Sequence, residues 1–213
     1  TGHYGTGKTE VSVNLALALA AEGEQVMLAD LDIVNPYFRS RERRPLLEKA
    51  GVRVISSSQA CSDADVHALP AELLTILENR EIRGILDIGG DPVGARVLAR
   101  FQPKIVQEDY QLIFVLNANR PEVRDAESAA AYLRSIEAVT GLTCSGLVNN
   151  THLCGETTPA EIRKGVALAQ EVSRQTGIPI LCHTAERRFL ESLSDLGEPV
   201  FPIAINMKKP WER

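Results

Sequence analysis

Apolar residues recur along this chain in two rhythms. Val11, Leu15, Ala18 and Leu19 return at the three- and four-residue spacing of a helix face, and Gly23 closes that run. Residues 25–29 form an unbroken buried-strand pattern that ends in Asp30-Leu31-Asp32. The same alternation then repeats. A short helix is predicted over 45–50, with Pro45 in its first turn and Gly51 beyond its end, followed by a strand over 52–56. Residues 57–68 are polar and uneven, as in a surface loop, and helical spacing resumes over 70–79 through Leu73, Leu74 and Leu77. Strand patterns at 84–90, 112–116, 145–148 and 178–182 are interleaved with helical ones at 126–139, 159–176 and 186–193. Residues 199–203 read as an edge strand, where Pro199 and Pro202 are tolerated. Strands alternating with helices predict an α/β fold with a mostly parallel central sheet and helices on both faces. No repeat or linker divides the chain, so one domain is expected over residues 1–213.

The chemistry gathers where predicted strands end. Gly2-His3-Tyr4-Gly5-Thr6-Gly7-Lys8-Thr9, directly before the first helix, fits the phosphate-loop (P-loop, Walker A) pattern. Backbone N–H groups must converge on phosphate oxygens, and glycines at 2, 5 and 7 keep side chains out of their way. Tyr4 and Thr6 supply further backbone to that cradle, Lys8 neutralises β/γ charge, and Thr9 offers a hydroxyl to Mg²⁺. The dipole of the following helix favours an anion at the same place. Such a loop normally hangs from a buried strand, yet only Thr1 precedes Gly2, so the first strand is expected to be largely missing from these residues. Asp30 and Asp32 end one strand and Asp87 another, followed by Gly89-Gly90. Carboxylates at strand ends beside a phosphate loop are candidate Mg²⁺ ligands, and Gly90 lets backbone approach a γ-phosphate.

Composition narrows the picture. The 213 residues are 44% hydrophobic and 24% charged, which suits an ordinary globular domain. A net charge of -5 argues against a nucleic-acid surface, with Arg39, Arg41, Arg43 and Arg44 as a local exception. Cys61, Cys144, Cys154 and Cys182 lie far apart without a CxxC pair, so a disulfide or metal scaffold is not indicated and a reducing cytoplasm is expected. His152 with Cys154 and Cys182 with His183 are the pairs that could meet as a metal site, against the commoner occurrence of buried Cys and His without metal. No apolar run approaches a membrane span, and no membrane contact is expected.

The combination of Gly7-Lys8-Thr9, Asn14-Leu15-Ala16, Leu19-Ala20, Gly23, Val26 and Asp30-Leu31-Asp32 resembles the CobQ/CobB/MinD/ParA group of P-loop nucleotide-binding proteins. Asp87-Ile88-Gly89-Gly90 resembles its switch II, and Pro121 its proline after the long strand. The resemblance implies a slow ATPase with Lys8 and Asp32 as catalytic residues, Asp32 positioning the attacking water. It implies a magnesium site from Thr9, Asp30, Asp32 and Asp87. A nucleotide-dependent homodimer, or another protein partner, would be the expected readout. The sequence departs from the group at its signature lysine: His3 and Tyr4 occupy the places of that lysine and the first glycine, and an arginine such as Arg39 or Arg96 would have to substitute. A group of anaerobe-type proteins with a GHYGxGKTE loop is the variant it resembles most.

Guanine-specific relatives read the base with an Asn-Lys-x-Asp pattern, and here that place reads Asn149-Asn150-Thr151-His152, with no carboxylate. An Asn amide can bond adenine in two places, so ATP is the expected ligand, with Asn149 as reader and Asn150 and His183 beside the base. The alternatives on this scaffold are an ATP-dependent phosphotransferase or ligase resembling dethiobiotin synthetase or cobyrinate amidase, with residues 35–41 as acceptor pocket, and a metal-delivery GTPase.

Overall fold

The computed structural model describes residues 1–32, 40–56 and 71–207. Among these the chain runs through α1 (Lys8–Ala21), β1 (Gln25–Leu31), α2 (Arg44–Lys49), β2 (Arg53–Ser56), α3 (Ala71–Glu78) and β3 (Ile82–Ile88). It continues through the short helices α4 (Pro92–Ala95) and α5 (Gln102–Ile105) to β4 (Leu112–Leu116), α6 (Ala126–Thr140), β5 (Cys144–Asn149), α7 (Pro159–Thr176), β6 (Ile180–Glu186) and β7 (Val200–Ile203). Every strand pair is parallel, in the orders β2-β1-β3 and β4-β5-β6-β7. Parallel strands covered by helices are buried on both faces, which is why β1 and β4 read as unbroken apolar runs.

One core cluster joins the two sheets, bringing Met27, Leu31 and Ile88 together with Phe114, Leu116 and Leu147. Thr1 lies along the edge of β4 away from β5: its amino group donates to Ile113 O (2.8 Å) and its carbonyl accepts from Val115 N (2.8 Å). Those two ladder bonds anchor the start of the glycine loop against β4. Asp125 and Thr158 cap α6 and α7, each accepting from a backbone N–H three residues on, and Gly141 and Gly177 end the two helices in the left-handed conformation.

Two expectations need correction. Residues 186–193 do not form a helix: β6 runs on to Glu186, and two 3₁₀ turns follow at Arg187–Phe189 and Glu191–Leu193. Pairing of His183 to Glu186 with β7 extends the strand past its apolar start. Residues 92–105, where the hydrophobic spacing gave no element, hold α4, a 3₁₀ turn and α5, each too short to show a period. Residues 33–39, 57–70 and 208–213, and with them most of the expected acceptor pocket, Arg39 and Cys61, lie outside the described residues. No described helix is long and apolar enough to cross a membrane.

Candidate functional site

The glycine loop closes on itself before α1 begins. Thr6 is fully buried, and both its N–H (3.2 Å) and its hydroxyl (2.9 Å) donate to His3 O. Gly7 has φ 83°, a left-handed conformation that L side chains rarely adopt, and a Cβ there would collide with the Asn150 amide. Lys8, 8% exposed, donates from Nζ to His3 O at 3.3 Å. Gly90 lies directly over this loop. A Cβ on Gly90 would stand 2.6 Å from Lys8 Nζ, 2.8 Å from Gly2 O and 2.9 Å from Tyr4 N, so only glycine fits. The sequence-predicted loop residues Gly2, Tyr4, Gly5, Thr6, Gly7, Lys8 and Thr9 and the distant Gly90 are therefore one assembly.

Three carboxylates end the strands beside it. Asp30 and Asp87 are register partners on β1 and β3, 1% and 2% exposed, so two acids sit side by side in the interior. Asp30 accepts from Arg41 N and Asp32 N, both at 3.3 Å, and its Oδ2 lies 3.8 Å from Arg41 Nε. Neither Asp87 oxygen has a hydrogen-bond partner within normal range, although the Thr9 hydroxyl is near enough to favour its ionised form. Burial, then the neighbouring Asp30, push the Asp87 carboxyl up to about 6. Burial also raises Asp30 and lowers Lys8, in the latter case against the pull of Asp87, Asp32 and Asp91. Asp32, 8% exposed, completes the acidic rim.

Among the described residues no group of three or more His, Cys, Asp or Glu side chains converges to hold a metal ion. Magnesium does not need such a cage, because it keeps several waters and is held by one or two carboxylates together with phosphates. An orphaned, buried Asp87 next to the Thr9 hydroxyl and Lys8 fits that donor set.

On the other flank the polar side chains are engaged with one another. Asn150 donates Nδ2 to Thr6 O (2.8 Å) and accepts from the Thr184 hydroxyl (2.5 Å), clamping the loop to β6. Asn149, fully buried, donates Nδ2 to Ile162 O (3.3 Å) and to His183 Nδ1 (3.2 Å), while its Oδ1 accepts from Thr151 N (3.0 Å). The His183 ring, also fully buried, therefore carries its proton on Nε2, which faces Glu198 at 3.5 Å. Asn149 and His183, expected beside the base, are both closed to solvent and bonded to each other in this structure. A small pocket does open beside them, lined by Thr151, His152, Thr184, Glu186, Ile203 and Ile205 among others. His152 Nδ1 accepts from Cys154 N (3.3 Å), so its proton also sits on Nε2, which is buried, unpartnered and directed at Gly7. Burial, with Arg120 nearby, lowers this imidazole to about 4 and keeps it neutral.

The expected pairing of His152 and Cys154 with Cys182 and His183 as a metal site is not what the fold builds. His183 is taken by Asn149, and burial pushes the Cys182 thiol up to about 11. Arg96 is exposed on the turn after α4. Two residues that carried no sequence signal touch the loop instead. Arg120 Nε donates to Gly5 O at 2.7 Å, and the Tyr132 hydroxyl donates to Gly90 O at 2.5 Å while its ring meets His3 edge-on at 4.9 Å.

The fold has counterparts among solved structures. Cell division protein FtsY from Thermotoga maritima superposes with a TM-score of 0.60 at 22% identity, over 87% of this chain and 60% of that one. Chloroplast FtsY from Physcomitrella patens gives 0.58 at 17%, over 85% and 55%. Signal recognition particle 54 kDa protein from Aeropyrum pernix K1, in complex with GDP, gives 0.54 at 23%, over 84% and 39%. The chain thus spans less than two thirds of these proteins' length, and the likeness shows a shared α/β P-loop fold. No curated protein matches the sequence. The family model described as the CobQ/CobB/MinD/ParA nucleotide binding domain matches residues 2–199, so the chain belongs to that family of P-loop nucleotide-binding proteins.

Proposed function

We propose that the protein binds ATP with magnesium and hydrolyses it slowly, acting as a switch that a protein partner or a second copy reads. The observation that carries this reading is the buried, unpartnered Asp87 beside the buried Lys8 under a glycine loop. Lys8 would balance β/γ charge, and Thr9 and Asp87 would hold the magnesium, directly or through water, with Asp30 behind them. Bound magnesium would supply charge neutralisation on the phosphates. Asp32, at the rim, would orient the attacking water, and positioning of this kind is most of what a slow phosphoryl transfer requires.

The switch reading is supported by Gly90, which packs against the loop beside Lys8 and would have to answer to a terminal phosphate. Tyr4 and Val93, 54% and 66% exposed, stand on the loop and just past Gly90 and give a partner apolar surface at the same face.

The base would enter the pocket between the ends of β5, β6 and β7. Guanine would need an acceptor for its N1–H and N2–H groups. The position of the guanine-reading carboxylate after β5 is held by His152, which favours adenine, although Glu186 lines the pocket and accepts from Arg188 Nη2 through one oxygen at 2.7 Å. GTP is the second reading, because a structural neighbour is a GDP complex and Glu186 brings a carboxylate to the pocket.

Titration calorimetry with ATP and GTP, each with Mg²⁺, tests the proposal on the wild type, Lys8→Ala and Asp32→Ala. Binding of ATP that is lost in Lys8→Ala and kept in Asp32→Ala is the expected result. Binding of neither nucleotide contradicts the proposal, and preference for GTP replaces ATP by the second reading.

A further inference from the structure

The segment after β7 is fastened to the loop's own helix. Glu10, two residues past Lys8, accepts from Asn206 N through Oε1 (2.8 Å) and from Met207 N through Oε2 (3.0 Å). Asn14, one turn further on, accepts from Ala204 N (2.8 Å) and donates Nδ2 to Ala204 O (2.9 Å) and to Glu10 Oε1 (3.1 Å). Glu10 and Asn14 are 9% and 7% exposed. A buried carboxylate accepting two backbone N–H groups makes charge-assisted bonds, stronger than a neutral acceptor in the same place. Both carboxylate oxygens of this buried acid are spent on the strap.

That strap is also a wall. Ile203 and Ile205 line the pocket together with Asn150, His152, Thr184 and Glu186. Ile203 is held by its strand, but Ile205 lies between the two anchored positions, Ala204 and Asn206, and stays 50% exposed. The apolar face of a purine packs on side chains of this kind, whereas phosphates are held by the loop at the other end.

We infer that Glu10 is a positioning residue for the nucleobase: it fastens residues 204–207 to α1 so that Ile205 closes the apolar side of the base pocket. The inference rests on the reading of that pocket as the base site. Glu10 acts on the base end of the ligand and leaves the phosphate end alone, although it follows the phosphate loop in sequence. Loss of its carboxylate strands two backbone N–H groups and loosens the strap beyond Ala204, which Asn14 still holds.

The test is titration calorimetry of the wild type, Glu10→Ala and Ile205→Ala with three probes, each in the presence of Mg²⁺: ATP, GTP and inorganic tripolyphosphate. Glu10→Ala should raise the Kd of the preferred nucleotide about tenfold and leave that of tripolyphosphate within about twofold. Ile205→Ala removes only a half-exposed side chain, so the fold is kept, and it should weaken the nucleotide in the same selective way. Equal weakening of nucleotide and tripolyphosphate by Glu10→Ala, or unchanged nucleotide affinity in Ile205→Ala, overturns the inference. A wild type that binds tripolyphosphate and neither nucleotide overturns the pocket reading beneath it, a different failure with a different signature.

Discussion

The two flanks of the glycine loop are built on opposite principles. On the flank of β1 and β3, Lys8, Asp30 and Asp87 are taken out of water with fewer partners than their charges call for, and Asp87 has none within hydrogen-bond range. On the flank of β5 and β6, Asn149, Asn150 and Thr184 are as deeply buried, yet each bonds to a neighbour. Both flanks are polar interior: on the second the amides are bonded, although His152 Nε2 and His183 Nε2 lack hydrogen-bond partners, whereas the first leaves a whole carboxylate without one. An uncompensated buried charge costs stability and is kept where a ligand makes up the difference, whereas a closed amide network costs little and fixes geometry. On the proposed reading, the first flank would meet phosphate and metal. The second holds the loop in shape for it.

Substitutions on the two flanks should move stability in opposite directions. The largest effect is expected at Asn149→Ala, which strands Thr151 N and His183 Nδ1 in the interior. A loss of about 3 kcal/mol in chemical denaturation is the expected outcome. A change under about 1 kcal/mol would show that the second flank is not the scaffold described.

Next in size is Asp87→Asn, which should stabilise the ligand-free protein by about 2 kcal/mol at neutral pH. Its carboxyl is held at about 6 in the folded chain against 3.8 in the reference state. Between those values the folded state keeps a proton that the unfolded state releases, so this group makes stability fall as pH rises through the window, and the loss persists above it. Denaturation midpoints from pH 4 to pH 7 should show that decline in the wild type and a flatter profile in Asp87→Asn. The smallest effect belongs to Tyr132→Phe, which removes only the hydroxyl bond to Gly90 O and should cost about 1 kcal/mol. Hydrogen exchange at Gly89 to Asp91 would report it as faster opening of that segment.

What could be read in the sequence follows from how local each signal is. The glycine loop, the helix behind it and the acid-tipped strands are runs of adjacent residues, and the apolar alternation that predicts the parallel sheet spans only a few turns. The residues that complete the site are held by contacts far apart in the chain. Arg120 reaches Gly5 across 115 positions, Tyr132 reaches Gly90 across 42, and Asn206 reaches Glu10 across 196. No spacing rule announces such a pair. The partners of Asn149 are hidden for the same reason. Its motif position was visible, while His183 and Ile162, which take up its amide, come from β6 and α7. The 3₁₀ turns at 187–193 were read as a helix because Leu190 and Leu193 keep helical spacing over a stretch too short to decide between the two.

The most direct test is the thermal midpoint of the wild type and Asp87→Asn, each measured alone and with Mg²⁺ and ATP, with GTP as the comparison. The account predicts that the ligand-free variant melts higher than the wild type, and that nucleotide with magnesium raises the wild type while moving the variant much less. A wild type unmoved by either nucleotide, or a variant that melts lower and gains as much from the ligand, would contradict the claim that the charged flank is completed by phosphate and metal.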